Sequence, residues 1–90
     1  MSTVDAETIE TNVLMPILSR LLRMADSYRG SGLSKQASEM YFELAERNAE
    51  SVEGWQARDR LVEIAETYER QGLPHQARSI YERLLEQPTV

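Results

Sequence analysis

The chain contains two similar stretches that lie forty residues apart. Residues 20–45, aligned with residues 60–85, are identical at ten of 26 positions. Other aligned pairs are chemically close, such as Asp26 with Glu66. A period in this range is typical of stacked supersecondary units, each of which needs a neighbour to cover its apolar face. The duplication therefore predicts two alike units packed side by side.

Apolar residues recur at helical spacing along both stretches, and no segment shows sustained alternation of apolar and polar residues. The spacing predicts a first helix over about residues 12–29. Thr11 or Asn12 is a candidate N-cap for it, and Pro16 lies near its start. Gly30-Ser31-Gly32 is predicted to end it, because glycine adopts the left-handed conformation that closes a helix.

Three further helices follow from the same signals. Ser34 and Ser51 are the predicted N-caps of the second and third helices. Gly72 is predicted to end the third helix, Pro74 to begin the fourth, and Pro88 to prevent its continuation. The predicted fold is therefore all-α, with four helices forming two antiparallel helix-turn-helix hairpins.

The predicted organisation is a flexible leader over residues 1–10, followed by a single helical domain over residues 11–88. The first repeat covers about residues 12–50 and the second about residues 51–88. The leader is acidic and polar, unlike the basic start of a signal peptide.

Composition narrows the class of protein. Apolar residues make up 41% and charged residues 28%, which is ordinary for a globular domain. There is no cysteine for a disulfide or a thiolate metal site. The net charge is −5 and Lys35 is the sole lysine, which argues against nonspecific nucleic-acid binding. No apolar run approaches the ~20 residues of a membrane helix, so a cytoplasmic protein is expected.

Small and aromatic residues recur at fixed spacing inside each unit. Alanines at 25 and 37, and again at 65 and 77, are predicted to let two helices approach closely. The run Tyr68, Gly72, Ala77, Tyr81 and Leu84 resembles the centre of the tetratricopeptide repeat (TPR) signature, and residues 28–44 repeat it. The resemblance covers about residues 18–88 and implies a right-handed α-solenoid fragment. The period of forty departs from the 34 residues of that family, so the second unit's first helix is expected to be longer by six residues.

The TPR resemblance implies a concave groove, lined by the first helices, that takes an extended peptide or a helix of a partner protein. The positions expected to face it are Leu22, Asp26, Arg29, Val62, Glu66 and Glu69. The acidic side chains would repel a terminal carboxylate, so a partner with a basic segment is predicted. The alternative is that these charges only solvate exposed helix faces.

Two repeats are usually too few to bury a continuous core. Apolar residues at both ends of the predicted domain are therefore expected to be covered, most simply by a second copy of the chain. The residues predicted to support self-association are Val13, Leu14, Ile17, Leu18 and Leu85. A partner protein or the folded-back leader would be the other ways to cover them.

Three other residues are candidates for a contact or a metal-ligating role. Trp55 is predicted to be a core residue, with an interface anchor as the alternative. Phe42 is predicted either to be an exposed contact point or to pack against the leader. His75 is predicted to be a solvated turn residue, since no metal-ligating companion accompanies it.

No motif positions a nucleophile, a cofactor or a metal ion, so an enzyme is not predicted. The expected function is a small adaptor or assembly factor that mediates protein–protein interaction as a homodimer. A structural homo-oligomeric scaffold without a separate ligand is the alternative.

Overall fold

The computed structural model describes the backbone of residues 6–86 and the side chains of residues 16–86. Over this range the chain forms no strand and four α-helices: α1 (Ala6–Gly30), α2 (Ser34–Arg47), α3 (Val52–Arg70) and α4 (Pro74–Leu85). Each helix packs against the next along the chain, and α3 also contacts α1. The prediction of an all-α fold with four helices is confirmed.

The first helix begins earlier than predicted. α1 starts at Ala6 instead of near residue 12, so neither Thr11 nor Asn12 lies at the start of the helix. Pro16 is inside α1, where it cannot donate to the carbonyl one turn earlier. An interior proline costs a helix about 3 kcal/mol, and for that reason the sequence favoured a start close to it.

The same turn ends α1 and α3. Gly32 and Gly72 have φ angles of 82° and 76°, a region that only glycine adopts without steric cost. In the first turn the amide of Leu33 donates to the carbonyl of Tyr28 at 2.9 Å, and the corresponding bond in the second turn is 2.8 Å long. This is the Schellman arrangement that satisfies the last carbonyls of a helix. The predicted glycine stops are confirmed.

The connection between α2 and α3 is fixed by a serine and a glycine. The Ser51 hydroxyl accepts a hydrogen bond from the Gly54 amide at 2.9 Å, which confirms Ser51 as the N-cap of α3. The same hydroxyl donates to the Asn48 carbonyl at 2.6 Å. A Cβ on Gly54 would lie 2.1 Å from that carbonyl oxygen. The turn therefore requires glycine at this position.

Ser34 does not cap α2 as predicted. The N-cap residue is Leu33, and no side chain satisfies the first amides of the helix. Ser34 lies within the first turn, and its carbonyl accepts a hydrogen bond from the Ser38 hydroxyl at 2.8 Å. The Schellman turn before α2 already sets the direction of the chain, so the helix begins without a serine cap.

One apolar core runs through all four helices. The alanines predicted at the closest helix contacts are all buried: Ala25, Ala37, Ala65 and Ala77. Tyr41 and Leu61 are the largest fully buried side chains among the described residues. The Tyr41 hydroxyl donates to the carboxylate of Asp26, so its polar end is satisfied within the core.

Polar contacts between α1 and α3 each join residues 34 positions apart. The pairs are Ser19 with Glu53 (3.0 Å), Asp26 with Arg60 (3.3 Å) and Arg29 with Glu63 (2.8 Å). A constant separation means that the two helices run in the same direction. Residues that match in the sequence repeat are forty apart, so each match lies six residues, or about 9 Å, farther along α3. The helices therefore meet through different faces.

Candidate interaction site

The groove residues predicted on α1 already have partners inside the chain. Leu22 is 7% exposed and belongs to the core, so it does not face a groove as predicted. Asp26 accepts hydrogen bonds from Tyr41 and Arg60, and Arg29 forms an ion pair with Glu63. These side chains join the first hairpin to α3.

The groove residues predicted on α3 are accessible. Val62 is partly exposed, and Glu66 and Glu69 are exposed. The Tyr81 hydroxyl of α4 donates to the Glu69 carboxylate at 2.5 Å. This hydrogen bond, with a smaller contribution from desolvation, raises the pKa of Tyr81 to about 12. An acidic edge therefore runs along α3 beside the hydroxyl end of Tyr81.

A concave surface with an apolar lining lies next to this acidic edge, between α3 and α4. We call it the α3–α4 face and define it by Trp55, Val62, Tyr81, Leu84 and Leu85. Trp55 is 61% exposed and Leu85 is 85% exposed. The prediction that Trp55 is a core residue is therefore wrong, and the interface-anchor alternative agrees with its exposure.

Trp55 also contacts a cation. The guanidinium carbon of Arg58 lies 5.7 Å from the centroid of the Trp55 ring, within the range of a cation–π interaction. Because Trp55 precedes Arg58 by three residues, both side chains lie on one side of α3. The indole is thus held at the edge of the α3–α4 face rather than in the core.

The residues predicted to support self-association are divided between core and surface. Val13 and Leu14 fall in the part of α1 whose side chains are outside the described residues. Leu18 is 3% exposed and lies in the core, so it is not part of an exposed apolar stripe as predicted. Ile17 is about half exposed, and Leu85 is the most exposed large apolar residue among those described.

The exposed apolar side chains of α1 continue farther along the helix than predicted. They follow a spacing of four, three and four residues and form what we call the α1 stripe: Ile17, Leu21, Met24 and Tyr28. Periodicity alone groups these residues with the core, because it reports an apolar face without telling which neighbour covers it. The contacts between α1 and α3, which join residues 34 positions apart, distinguish these exposed residues from the buried ones.

The outer side of the molecule joins α2 to α4 through Arg83. Its guanidinium lies 4.1 Å from the centroid of the Phe42 ring and donates to Glu46 at 2.9 and 3.0 Å and to Glu39 at 3.3 Å. The hydrogen bond with Glu46 is the main cause that raises the pKa of Arg83. Phe42 is buried, so the prediction that it is an exposed contact point is wrong. The alternative, packing against the leader, involves side chains that lie outside the described residues.

The described residues offer few features of a metal-binding or catalytic site. No cluster of three potential metal-ligating side chains occurs among them. His75 is exposed in the first turn of α4. Glu53 is buried, and its Oε2 accepts a hydrogen bond from the Ser19 hydroxyl. Its Oε1 has no hydrogen-bond partner in the described part of the chain. The main feature of the described surface is its exposed apolar area.

No protein-family model matches the chain, and neither a curated protein nor a solved structure matches it significantly. None of the helices in the described part of the chain is long and apolar enough to cross a membrane.

Proposed function

We propose that this chain is a protein–protein interaction module that binds a helix on its α3–α4 face. The observation that carries the proposal is the exposure of Trp55, Val62 and Leu85 on one concave surface. Tryptophan is over-represented among residues that dominate binding energy. Exposed apolar patches with a polar rim are typical of protein-binding sites.

The charge next to this face suggests the chemistry of the partner. Glu66 and Glu69 lie along α3, and neither forms an ion pair with a described residue. A helix with apolar residues on one face and arginine or lysine beside them would satisfy both the apolar and the acidic parts. The partner is therefore an amphipathic helix with a basic flank.

A TPR-like arrangement is part of the proposal. It is supported by the separation of 34 residues between the contacting residues of α1 and α3, which equals the repeat length of that family. Relative to the groove predicted from sequence, the binding surface moves onto the second hairpin, because Leu22, Asp26 and Arg29 are occupied within the chain.

The proposal is tested by selecting binders from a displayed library of amphipathic helical peptides. We expect wild-type protein to enrich peptides with an apolar stripe flanked by arginine or lysine. Val62→Glu should abolish the enrichment, because it places a charge at the centre of the face. Arg47→Glu, on the exposed side of α2, is the control and should leave it unchanged. Failure to enrich, or enrichment that survives Val62→Glu, would contradict the proposal.

A second candidate function is a homo-oligomeric scaffold without a separate ligand. The α1 stripe favours it, because exposed apolar residues on α1 and on the α3–α4 face give the chain two surfaces to cover. In both functions the α3–α4 face binds a helix, and they differ in which protein supplies that helix.

A further inference from the structure

The two hairpins present matching positions with different burial. Four residues of the first hairpin, which we call the α1–α2 face, are buried in the region where α3 packs: Leu22, Tyr41, Leu44 and Ala45. Their matches forty residues later all belong to the α3–α4 face: Val62, Tyr81, Leu84 and Leu85. Each match is more exposed than its counterpart. The α3–α4 face thus corresponds to the face on which α3 docks, without a helix upon it in the described structure.

The docking helix has a counterpart as well. α3 packs against both helices of the first hairpin and contributes to the shared core a largely buried stripe, which we call the α3 stripe: Ala57, Leu61, Ile64 and Tyr68. Subtracting forty from these numbers gives the α1 stripe of Ile17, Leu21, Met24 and Tyr28. The α1 stripe is therefore related by the repeat to a docking surface, and it is exposed.

The charges that accompany the docking are also complementary after a shift of forty residues. In the chain, Asp26 of α1 pairs with Arg60 of α3. The matching pair would be Glu66 with Arg20, which has the same signs. After the shift of one repeat, an acidic residue on the receiving helix therefore still lies opposite an arginine on the docking helix.

A second ion pair also stays attractive after the shift, but the acidic and the basic residue exchange helices. Arg29 of α1 pairs with Glu63 of α3 at 2.8 Å. Moving each position by one repeat gives Glu69 on the receiving side and Arg23 on the docking side. Both the acid and the base have changed helix, and the pair still attracts. Two independent charge pairs therefore fit one docking geometry.

We infer that the α3–α4 face binds α1 of a second copy of this chain, head to tail, in the geometry that α3 adopts on the first hairpin. This inference rests on the proposed function of the face as a helix-binding surface. Leu21 and Met24 of the second copy occupy the places of Leu61 and Ile64. Arg20 of the second copy meets Glu66, and its Arg23 meets Glu69.

The receiving faces differ at several matched positions, and besides Val62 in place of Leu22 two differences change the size or the charge of the side chain. Leu85 stands where the first hairpin has Ala45, and Arg58 stands where it has Leu18. The larger Leu85 holds the incoming helix farther from α4 at this end while adding apolar area to the contact. Because the two surfaces in contact are different, the association is heterologous and continues beyond a dimer unless a ring closes.

Charge exchange tests this inference in the full chain. We expect sedimentation velocity of the wild type over a concentration series to show association. Arg20→Glu and Glu66→Arg should each raise the dissociation constant at least about tenfold, because a like-charge contact replaces an attraction. An equimolar mixture of the two variants should recover association, since every contact between unlike chains then joins opposite charges.

Arg47→Glu is the matched control for charge, because it makes the same change on the exposed side of α2 and should leave association unchanged. Circular dichroism should show equal helicity for all variants, and recovery in the mixture cannot come from unfolded chains. A wild type that stays monomeric, or association that ignores both substitutions, would overturn the inference. In either case, if the α3–α4 face still enriched helical peptides, only this inference would fail and the proposed function would be retained. If the face enriched no peptides, the proposed function would fail as well.

Discussion

The first and second hairpins share a turn and an alanine contact, yet their tyrosines have different surroundings. Tyr41 is fully buried, and its hydroxyl donates to Asp26, which also binds Arg60 of α3. Tyr81 is partly exposed and donates to Glu69 on its own hairpin. The difference arises from the neighbour, because α3 packs against the first hairpin and no described helix packs against the second in the same way. A matching residue is thus buried in the core in one copy and partly exposed in the other.

The largest expected contrast is between the two tyrosines. Tyr41→Ala should lower the free energy of unfolding by about 3–5 kcal/mol, because it leaves a cavity and removes a partner of Asp26. Tyr81→Ala should cost only about 1 kcal/mol, since the side chain is partly exposed. Urea unfolding followed by circular dichroism at low protein concentration measures both. Equal costs would mean that the hairpins are covered to the same degree.

The connection between the hairpins gives the next contrast. Gly54→Ala should destabilise the fold by about 1–3 kcal/mol, because the new Cβ meets the Asn48 carbonyl and the turn must shift. Gly30→Ala is the matched control, since a Cβ there has no neighbour within 4 Å. It should be neutral or stabilising by up to about 1 kcal/mol. Thermal unfolding of the two variants compares them, and a neutral Gly54→Ala would argue against the close approach.

A third contrast exchanges the residues at one matched position. Ala45→Leu should cost about 1–3 kcal/mol, because Ala45 is buried and a larger side chain overpacks the site. Leu85→Ala should change the stability of the isolated chain by less than about 0.5 kcal/mol, because Leu85 is exposed. Chemical denaturation of dilute protein measures the difference. A tolerated Ala45→Leu would show that α3 does not close over the first hairpin.

The turns at Gly32 and Gly72 provide the opposite test, because here the two hairpins should respond alike to the same substitution. Gly32→Ala and Gly72→Ala should each cost about 1–2 kcal/mol, since alanine is forced into a left-handed conformation. Guanidinium unfolding curves of the two variants give the comparison. If the losses in unfolding free energy of the two variants differed by more than about 1–2 kcal/mol, the turns would not be equivalent.

The smallest effect concerns ionisation of Tyr81. Its pKa is raised from 10.0 to about 12, chiefly by the hydrogen bond to Glu69. Because the folded state favours the neutral phenol, this contribution to stability is complete below pH 10 and is lost as the pH rises through about 12. Glu69→Gln should move the pKa of Tyr81 toward its ordinary value, as followed by carbon NMR of the tyrosine rings.

Tyr41 is the internal control for that titration. Burial and its hydrogen bond to Asp26 raise its pKa, and Glu69→Gln leaves those causes in place. An unchanged Tyr81 titration in the variant would contradict the assigned hydrogen bond. A simultaneous change in Tyr41 would show that the two tyrosines are not independent.

Local sequence signals predicted the four helices and most of their ends, because glycine and serine act within a few residues of their own positions. Gly32, Gly72 and Ser51 stop or cap helices as expected. Pro16 was misleading, since α1 continues through it although an interior proline costs a helix about 3 kcal/mol. Ser34 was also misleading, because the preceding turn already directs the chain into α2.

The candidate interaction site was harder to predict than the helices. Apolar periodicity identified the faces of α1 and α3, but it could not tell that Leu22 is covered while Trp55 is exposed. That depends on the six-residue offset between the contact separation of 34 and the sequence period of forty. Only the contacts across α1 and α3, such as Asp26 with Arg60, reveal the offset.

The most direct test of the central claim uses Trp55, the sole tryptophan of the chain. Its fluorescence and acrylamide quenching report whether the α3–α4 face is open. We expect an exposed, readily quenched indole at the lowest protein concentration. Emission should shift to shorter wavelength and quenching should fall as the concentration rises, and Glu66→Arg should move this change to higher concentration. A tryptophan that is protected in dilute protein, or that never changes with concentration, would contradict the account.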